Sequence, residues 1–154
     1  MYPYSITLHQ LAATLWVGGM FFAWLALRPV AAALLEPPLR LRLWRDTFAR
    51  FFPWVWAAVV ILPLTGYATI FMVYGGMGNV GIHIHLTSAL GLLMIAIFLY
   101  VWLLPYRGLC RAVDADDAPT GARHLARIRQ AIGVNLLLGL LTLAVASGGR
   151  FLLI

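Results

Sequence analysis

The stretch 6–27, ITLHQLAATLWVGGMFFAWLAL, contains no Asp, Glu, Lys or Arg. At about 1.5 Å of rise per residue, a helix of that length matches a hydrocarbon core of about 30 Å. A helix on the surface of a water-soluble domain would instead keep a polar face. Working outward from this run, 51–74, 82–104 and 131–149 are equally free of those four residue types. Composition agrees, because 63% of the 154 residues are hydrophobic and 10% are charged, whereas soluble domains carry about 25% charged residues. A single core in a chain of this size cannot hide so much apolar surface. The sequence therefore predicts an all-α integral membrane four-helix bundle, up-down-up-down, forming one transmembrane domain over residues 1–154, with the lipid bilayer as its solvent.

All 11 basic residues are arginine, and they bunch. Arg28, Arg40, Arg42, Arg45 and Arg50 fall in 28–50, and Arg107, Arg111, Arg123, Arg127 and Arg129 fall in 105–130. Arginine collects in cytoplasmic loops of membrane proteins, so both segments are expected as cytoplasmic loops, with both termini on the opposite, outer face. The same placement argues against nucleic-acid binding despite a net charge of +6. Leu39, Leu41, Leu43, Trp44, Phe48 and Phe51 alternate with arginines, as expected of an amphipathic stretch lying at the headgroups. Pro29 and Pro105 are expected to end helices, and Pro63 to kink one. The uncharged connector Gly75–Gly81 lies outside by the arginine rule. Cys110 is the only cysteine, so no internal disulfide forms. Met1 to Leu8 carry no Lys or Arg, so the first run is expected to be retained rather than cleaved as a signal peptide.

Ionisable side chains at membrane depth are costly and serve as functional candidates. The spans offer few: His9 in the first, His83 and His85 at the start of the third, and Arg150 after the fourth. The first and third spans run in the same direction, so His9 and His85 lie at similar depth. In a sequential bundle these two helices are diagonal, roughly 12–14 Å apart for side spacings of 8–10 Å. Two inward imidazoles across that gap leave room for one iron atom in a flat ring. Bis-histidine haem b on His9 and His85 is thus the leading expectation, with Arg150 as a cation for the propionates or, equally in character, an interfacial anchor. Gly18, Gly19 and Gly91 offer small positions for a macrocycle or for helix packing. The rival set is copper on His9, His83 and His85 with Met72 and Met77, since thioethers suit Cu(I). His83, at the edge, also reads as a plain interfacial histidine, and His124, on the arginine-rich side, reads as solvated. No Ser-His-Asp set, carboxylate pair or phosphate loop occurs in the spans, which argues against hydrolytic and phosphoryl-transfer chemistry.

Leu8-His9-Gln10-Leu11-Ala12-Ala13, followed by Leu15-Trp16-Val17-Gly18-Gly19-Met20-Phe21-Phe22, resembles the first helix of the copper-resistance protein D (CopD) family. The likeness extends more loosely through Arg50-Phe51 and Thr65-Gly66 to the polar start of the third span. By length and by its N-terminal helix histidine the chain is also distantly similar to HemJ-type protoporphyrinogen oxidases. The resemblance implies an inner-membrane protein linked to copper uptake or homeostasis or, in related branches, to haem b; the outer face that the arginine rule gives the termini is then periplasmic. Three functions follow as expectations. The first is electron transfer by a haem-bearing membrane oxidoreductase component, with the quinone pool or a periplasmic protein as redox partner. The second is copper handling at the outer mouth, and the third is a cofactor-free accessory subunit.

Overall fold

The computed structural model describes residues 2–152, with side chains from 3 to 149. Four helical rods follow one another. The first joins α1 (Tyr2–Phe22), a π-helical turn (Ala23–Leu27) and α2 (Arg28–Leu34). The second is α3 (Pro37–Thr69) with a π-helical turn at Ile70–Tyr74. After a short 3₁₀ turn at Met77–Asn79, the third joins α4 (Ile82–Val101), a π-helical turn (Trp102–Tyr106) and α5 (Arg107–Asp114). The fourth is α6 (Ala118–Leu152), and no strand occurs among the described residues. All four rods are long and apolar enough to cross a membrane. Their outer surface exposes large apolar side chains such as Leu11, Phe22, Trp54, Leu64 and Leu137, a surface suited to lipid rather than water. The chain is a multi-pass, all-α membrane protein.

α1 packs along α3 and α4 along α6, while α6 also touches α1 and α3. α1 and α4 are therefore diagonal and meet through large side chains, as in the edge-on contact of Trp16 and Phe98, with ring centroids 6.2 Å apart. Both short turns between rods lie at one end, called here the arginine end. The termini and the Gly75–Gly81 connector lie at the other.

The segments 28–50 and 105–130, expected as loops, are helical for most of their length. Pro29 and Pro105 do not stop their helices. A proline lacks an N–H and crowds the carbonyl four residues back, and in each case a π-helical turn lies at or just before it. Around Pro29 the wider turn is seen in the Arg28 N–H, which donates to the Ala23 carbonyl, a five-residue span that shifts the helix register past the obstruction. The true turns are short. Glu36 is extended (φ −60°, ψ 152°), as a residue before proline must be, and Pro37 then opens α3, where a missing N–H costs nothing. At the end of α5, Asp116 N–H donates to Val113 O at 3.2 Å and Asp117 N–H to Ala112 O at 2.9 Å. This is a Schellman cap, with Asp116 at φ 53° where glycine is more usual.

The amphipathic stretch does not lie flat at the headgroups. Leu41, Trp44 and Phe48 recur at helical spacing on α3 and are buried against Leu109 and Val113 of α5 and Leu125 and Ile128 of α6. Leu109 and Ile128 are 0% exposed. Above this base an aromatic stack continues toward the bundle centre. Phe48 stacks on Phe52 at 5.1 Å, Phe52 meets Tyr106 at 4.8 Å and Phe98 at 5.5 Å, and Phe98 meets Trp56 at 5.3 Å. Arg42–Asp116 and Arg45–Asp114 ion pairs, each 3.1 Å, tie α3 to the turn between α5 and α6. They are exposed and contribute little each. His124, expected to be solvated, instead packs on the bare backbone of Gly108.

Candidate functional site in the membrane cavity

The buried side chains of α3 run from Leu41 to Ala58, and those of α4 begin only at Met94. Toward the terminal end the helices carry small and polar residues instead: Gly66 and Thr69 on α3, Ser88 and Gly91 on α4, and Ala146 and Ser147 on α6. Such residues fill less space than the aromatic stack, and all four rods contribute to the wall of a cavity of about 750 Å³. Its floor is tight. Val17 and Met94 converge on Gly139, where a Cβ would lie 2.9 Å from Val17 and 3.1 Å from Met94. Pro63 lines the cavity within an unbroken α3. Among the described residues no Asp, Glu, Lys or Arg lines it.

His9 is the one histidine lining this cavity. Its Nδ1 lies 2.9 Å from Thr65 Oγ1. The Thr65 hydroxyl in turn donates to the Ile61 carbonyl at 2.6 Å. A hydroxyl has a single hydrogen, so Thr65 Oγ1 accepts from His9 and the ring carries its proton on Nδ1. Nε2 keeps its lone pair. Gly66, one residue on, makes room for the ring, since a Cβ there would sit 3.3 Å from His9 Cε1. Ser5, one turn before His9, donates to the Thr65 carbonyl at 3.2 Å and lies 3.4 Å from Thr69 Oγ1. Three polar contacts thus fix α1 against α3 at the height of the histidine. An imidazole whose other N–H is tied to a neighbouring acceptor is how proteins present a metal-ligating nitrogen.

His85 does not join His9. It is exposed and absent from the cavity wall, whereas its neighbours Ile84, Thr87, Ser88 and Gly91 line it. Helical geometry supplies the reason: matched depth sets a residue's height, but each step along a helix turns the side chain by about 100°. The inward stripe of α4 is 84, 88, 91 and 95, and position 85 falls beside it. The facing pair of imidazoles expected on the diagonal is therefore not formed. His83 does not line the cavity either. It lies against Gly149 of α6, where a Cβ would approach His83 Cβ to 2.8 Å, and it serves as packing between α4 and α6. Met72 is exposed and Met77 sits in the connector, both outside the cavity wall, while Met94 is in its floor. The side chain of Arg150 lies outside the described residues. Gly91 lines the cavity and faces open space, whereas Gly19 is filled by Phe51 and Gly18 faces outward. Among the described residues no group of three or more His, Cys, Asp or Glu gathers as a metal site.

A family model described as CopD, Copper resistance protein D, matches residues 45–148, more than half of the chain. The matched stretch takes in Thr65, Gly66, Met94 and Gly139 and begins after the helix that bears His9. The likeness to HemJ-type oxidases finds no support in the comparisons. No curated protein matches the chain, and no solved structure matches it.

Proposed function

The chain belongs to the copper-resistance protein D family, and on that premise we propose that it is a membrane redox protein whose cavity takes a haem b, with His9 Nε2 as the one protein ligand to iron. The observation that carries this reading is the His9–Thr65 hydrogen bond in the wall of a 750 Å³ cavity. Cofactor sites typically enclose about 300–1,000 Å³ and are mostly apolar with a few placed polar groups. A lone metal ion needs far less room than this cavity offers. The open space beside Gly91 suits a flat ring.

Each residue has a distinct task in this reading. His9 binds, Thr65 sets the tautomer and the ring plane, and Gly66 leaves space for the imidazole. Val17, Met94 and Gly139 close the floor so that water does not pass toward the aromatic stack. A bound haem supplies one-electron chemistry, and its axial ligand and surroundings tune the potential. Electrons would come from quinone in the bilayer or from a partner at the terminal face. That face is periplasmic if the arginine loops are cytoplasmic.

A second reading has one observation of its own. Met94 places a thioether in the lining of the same cavity as His9, and thioether donors suit Cu(I). The absorption spectrum and metal content of protein purified from iron- and copper-replete cells separate the two. The haem reading expects about one haem per chain with a five-coordinate spectrum, lost in His9→Ala. Copper without haem, lost in both His9→Ala and Met94→Leu, supports the second reading. A colourless protein that also fails to take up haemin overturns the first.

A further inference from the structure

At the arginine end, three guanidinium groups from three helices share a region, and among the described residues none of the three forms an ion pair, with Glu36 or any other carboxylate. Arg28 begins α2 just beyond the π-helical turn, Arg40 lies in the first turns of α3, and Arg129 lies on α6. The described carboxylates that form ion pairs engage Arg42 and Arg45 instead. Arg28 and Arg40 are close enough for their charges to act on Arg129.

Trp24 packs between Arg28 and the helix that bears Arg129. Its ring lies on the bare backbone of Gly133, with a Cβ there only 2.7 Å from the Trp24 ring. Gly133 is one helical turn beyond Arg129 on the same face of α6. The Arg28 guanidinium sits over the other part of this contact, 4.4 Å from the Trp24 ring centroid, a cation–π arrangement that holds its direction. Arg28 and Arg129 thus flank one wedged indole. Three residues before Arg28, toward the bilayer centre on the same rod, Leu25 is an exposed apolar side chain.

Like charges do not gather without a counter-charge. All three arginines are half-buried, so water screens them incompletely, and their mutual repulsion must be offset. Basic pockets between transmembrane helices, with a tryptophan at the interface and apolar surface beneath, match a phospholipid in each part: phosphate at the arginines, glycerol region at the indole, acyl chains along the apolar face. A guanidinium fork also fits phosphate oxygens better than an ammonium does. From this arrangement we infer that Arg28, Arg40 and Arg129, with Trp24, form a binding site for the phosphate headgroup of an anionic phospholipid. A second arginine is stacked on a tryptophan at this end, Arg107 on Trp102 at 4.5 Å.

The test uses the purified full chain in detergent, with the number of bound lipids read by native mass spectrometry and the melting temperature read in parallel. Phosphatidylglycerol, phosphatidylcholine with the same acyl chains, and inorganic phosphate are compared. Phosphatidylglycerol is expected to bind and stabilise, the zwitterionic lipid much less, and phosphate alone not at all. Each of Arg28→Gln, Arg40→Gln and Arg129→Gln should weaken binding about fivefold. The combination Arg111→Gln, Arg123→Gln and Arg127→Gln removes the same charge from exposed positions and should leave binding intact. The three site substitutions combined should abolish binding, and if that triple variant does not fold, the single Arg129→Gln variant gives the same reading. Equal binding of both lipids, equal stabilisation by inorganic phosphate, or equal loss in the control combination would each overturn the assignment.

Discussion

His9 Nδ1 lies 2.9 Å from the hydroxyl oxygen of Thr65, across the interface between α1 and α3. Because the Thr65 hydrogen is engaged by Ile61 O at 2.6 Å, the bond has a direction, and it leaves Nε2 as the ring's basic nitrogen. A residue outside the family match is thereby positioned by one inside it.

Thr65→Val removes the acceptor while keeping the volume. Loss of such an outer partner typically costs about 10–100-fold in affinity for a metal centre. Haemin titration of the purified protein should show that loss, and Thr65→Ser should recover most of it.

Gly66 is a spatial requirement rather than a conformational one. A Cβ there already sits 3.3 Å from His9 Cε1 and 3.7 Å from Nδ1. Valine would drive methyl groups into the imidazole. Gly66→Val should reduce haem uptake about as much as Thr65→Val, with helical circular dichroism unchanged, whereas Gly66→Ala should cost much less.

Leu109 and Ile128 are fully enclosed at the arginine end. If this base is a packed core, Leu109→Ala leaves a cavity and costs about 2–5 kcal/mol. Leu39, exposed on the same stretch of sequence as Leu41, should tolerate alanine. Denaturant midpoints in a fixed detergent measure the difference, and similar midpoints for Leu109→Ala and Leu39→Ala would count against the packed base.

Asp117 caps α6, accepting the Thr120 N–H at 3.1 Å. Its side-chain and backbone bonds to Thr120 hold its carboxyl below the usual range. A depressed folded value means that the contribution is complete above the unfolded value of about 3.9 and is lost as pH falls through the folded one. Melting temperature should therefore drop on acidification below about pH 4 more in the native chain than in Asp117→Asn, and Asp117→Ala should be less stable than either at neutral pH.

The four spans were legible in the sequence because lipid imposes a rule that residue types alone satisfy: long runs without charge. Helix ends were less legible. Pro29 and Pro105 read as stops, but one extra residue per turn lets a helix absorb a proline, and nothing in the local sequence announces it. Leu41, Trp44 and Phe48 carried the helical spacing of a core stripe, yet the interleaved arginines drew attention to a flat surface helix. His9 stood out as an ionisable group at membrane depth, and Thr65-Gly66 as a distinctive pair, but their pairing depends on which faces of α1 and α3 meet. That His85 does not line the cavity beside His9 has the same reason, since its depth is readable in the sequence and its azimuth is not.

The most direct test is a haemin titration of three purified proteins: the native chain, His9→Ala and His85→Ala. Single-histidine ligation by His9 predicts that the native chain and His85→Ala bind about one haem with the same five-coordinate spectrum, while His9→Ala binds none. Loss of binding in His85→Ala to the extent seen in His9→Ala, or full binding by His9→Ala, would contradict the assignment.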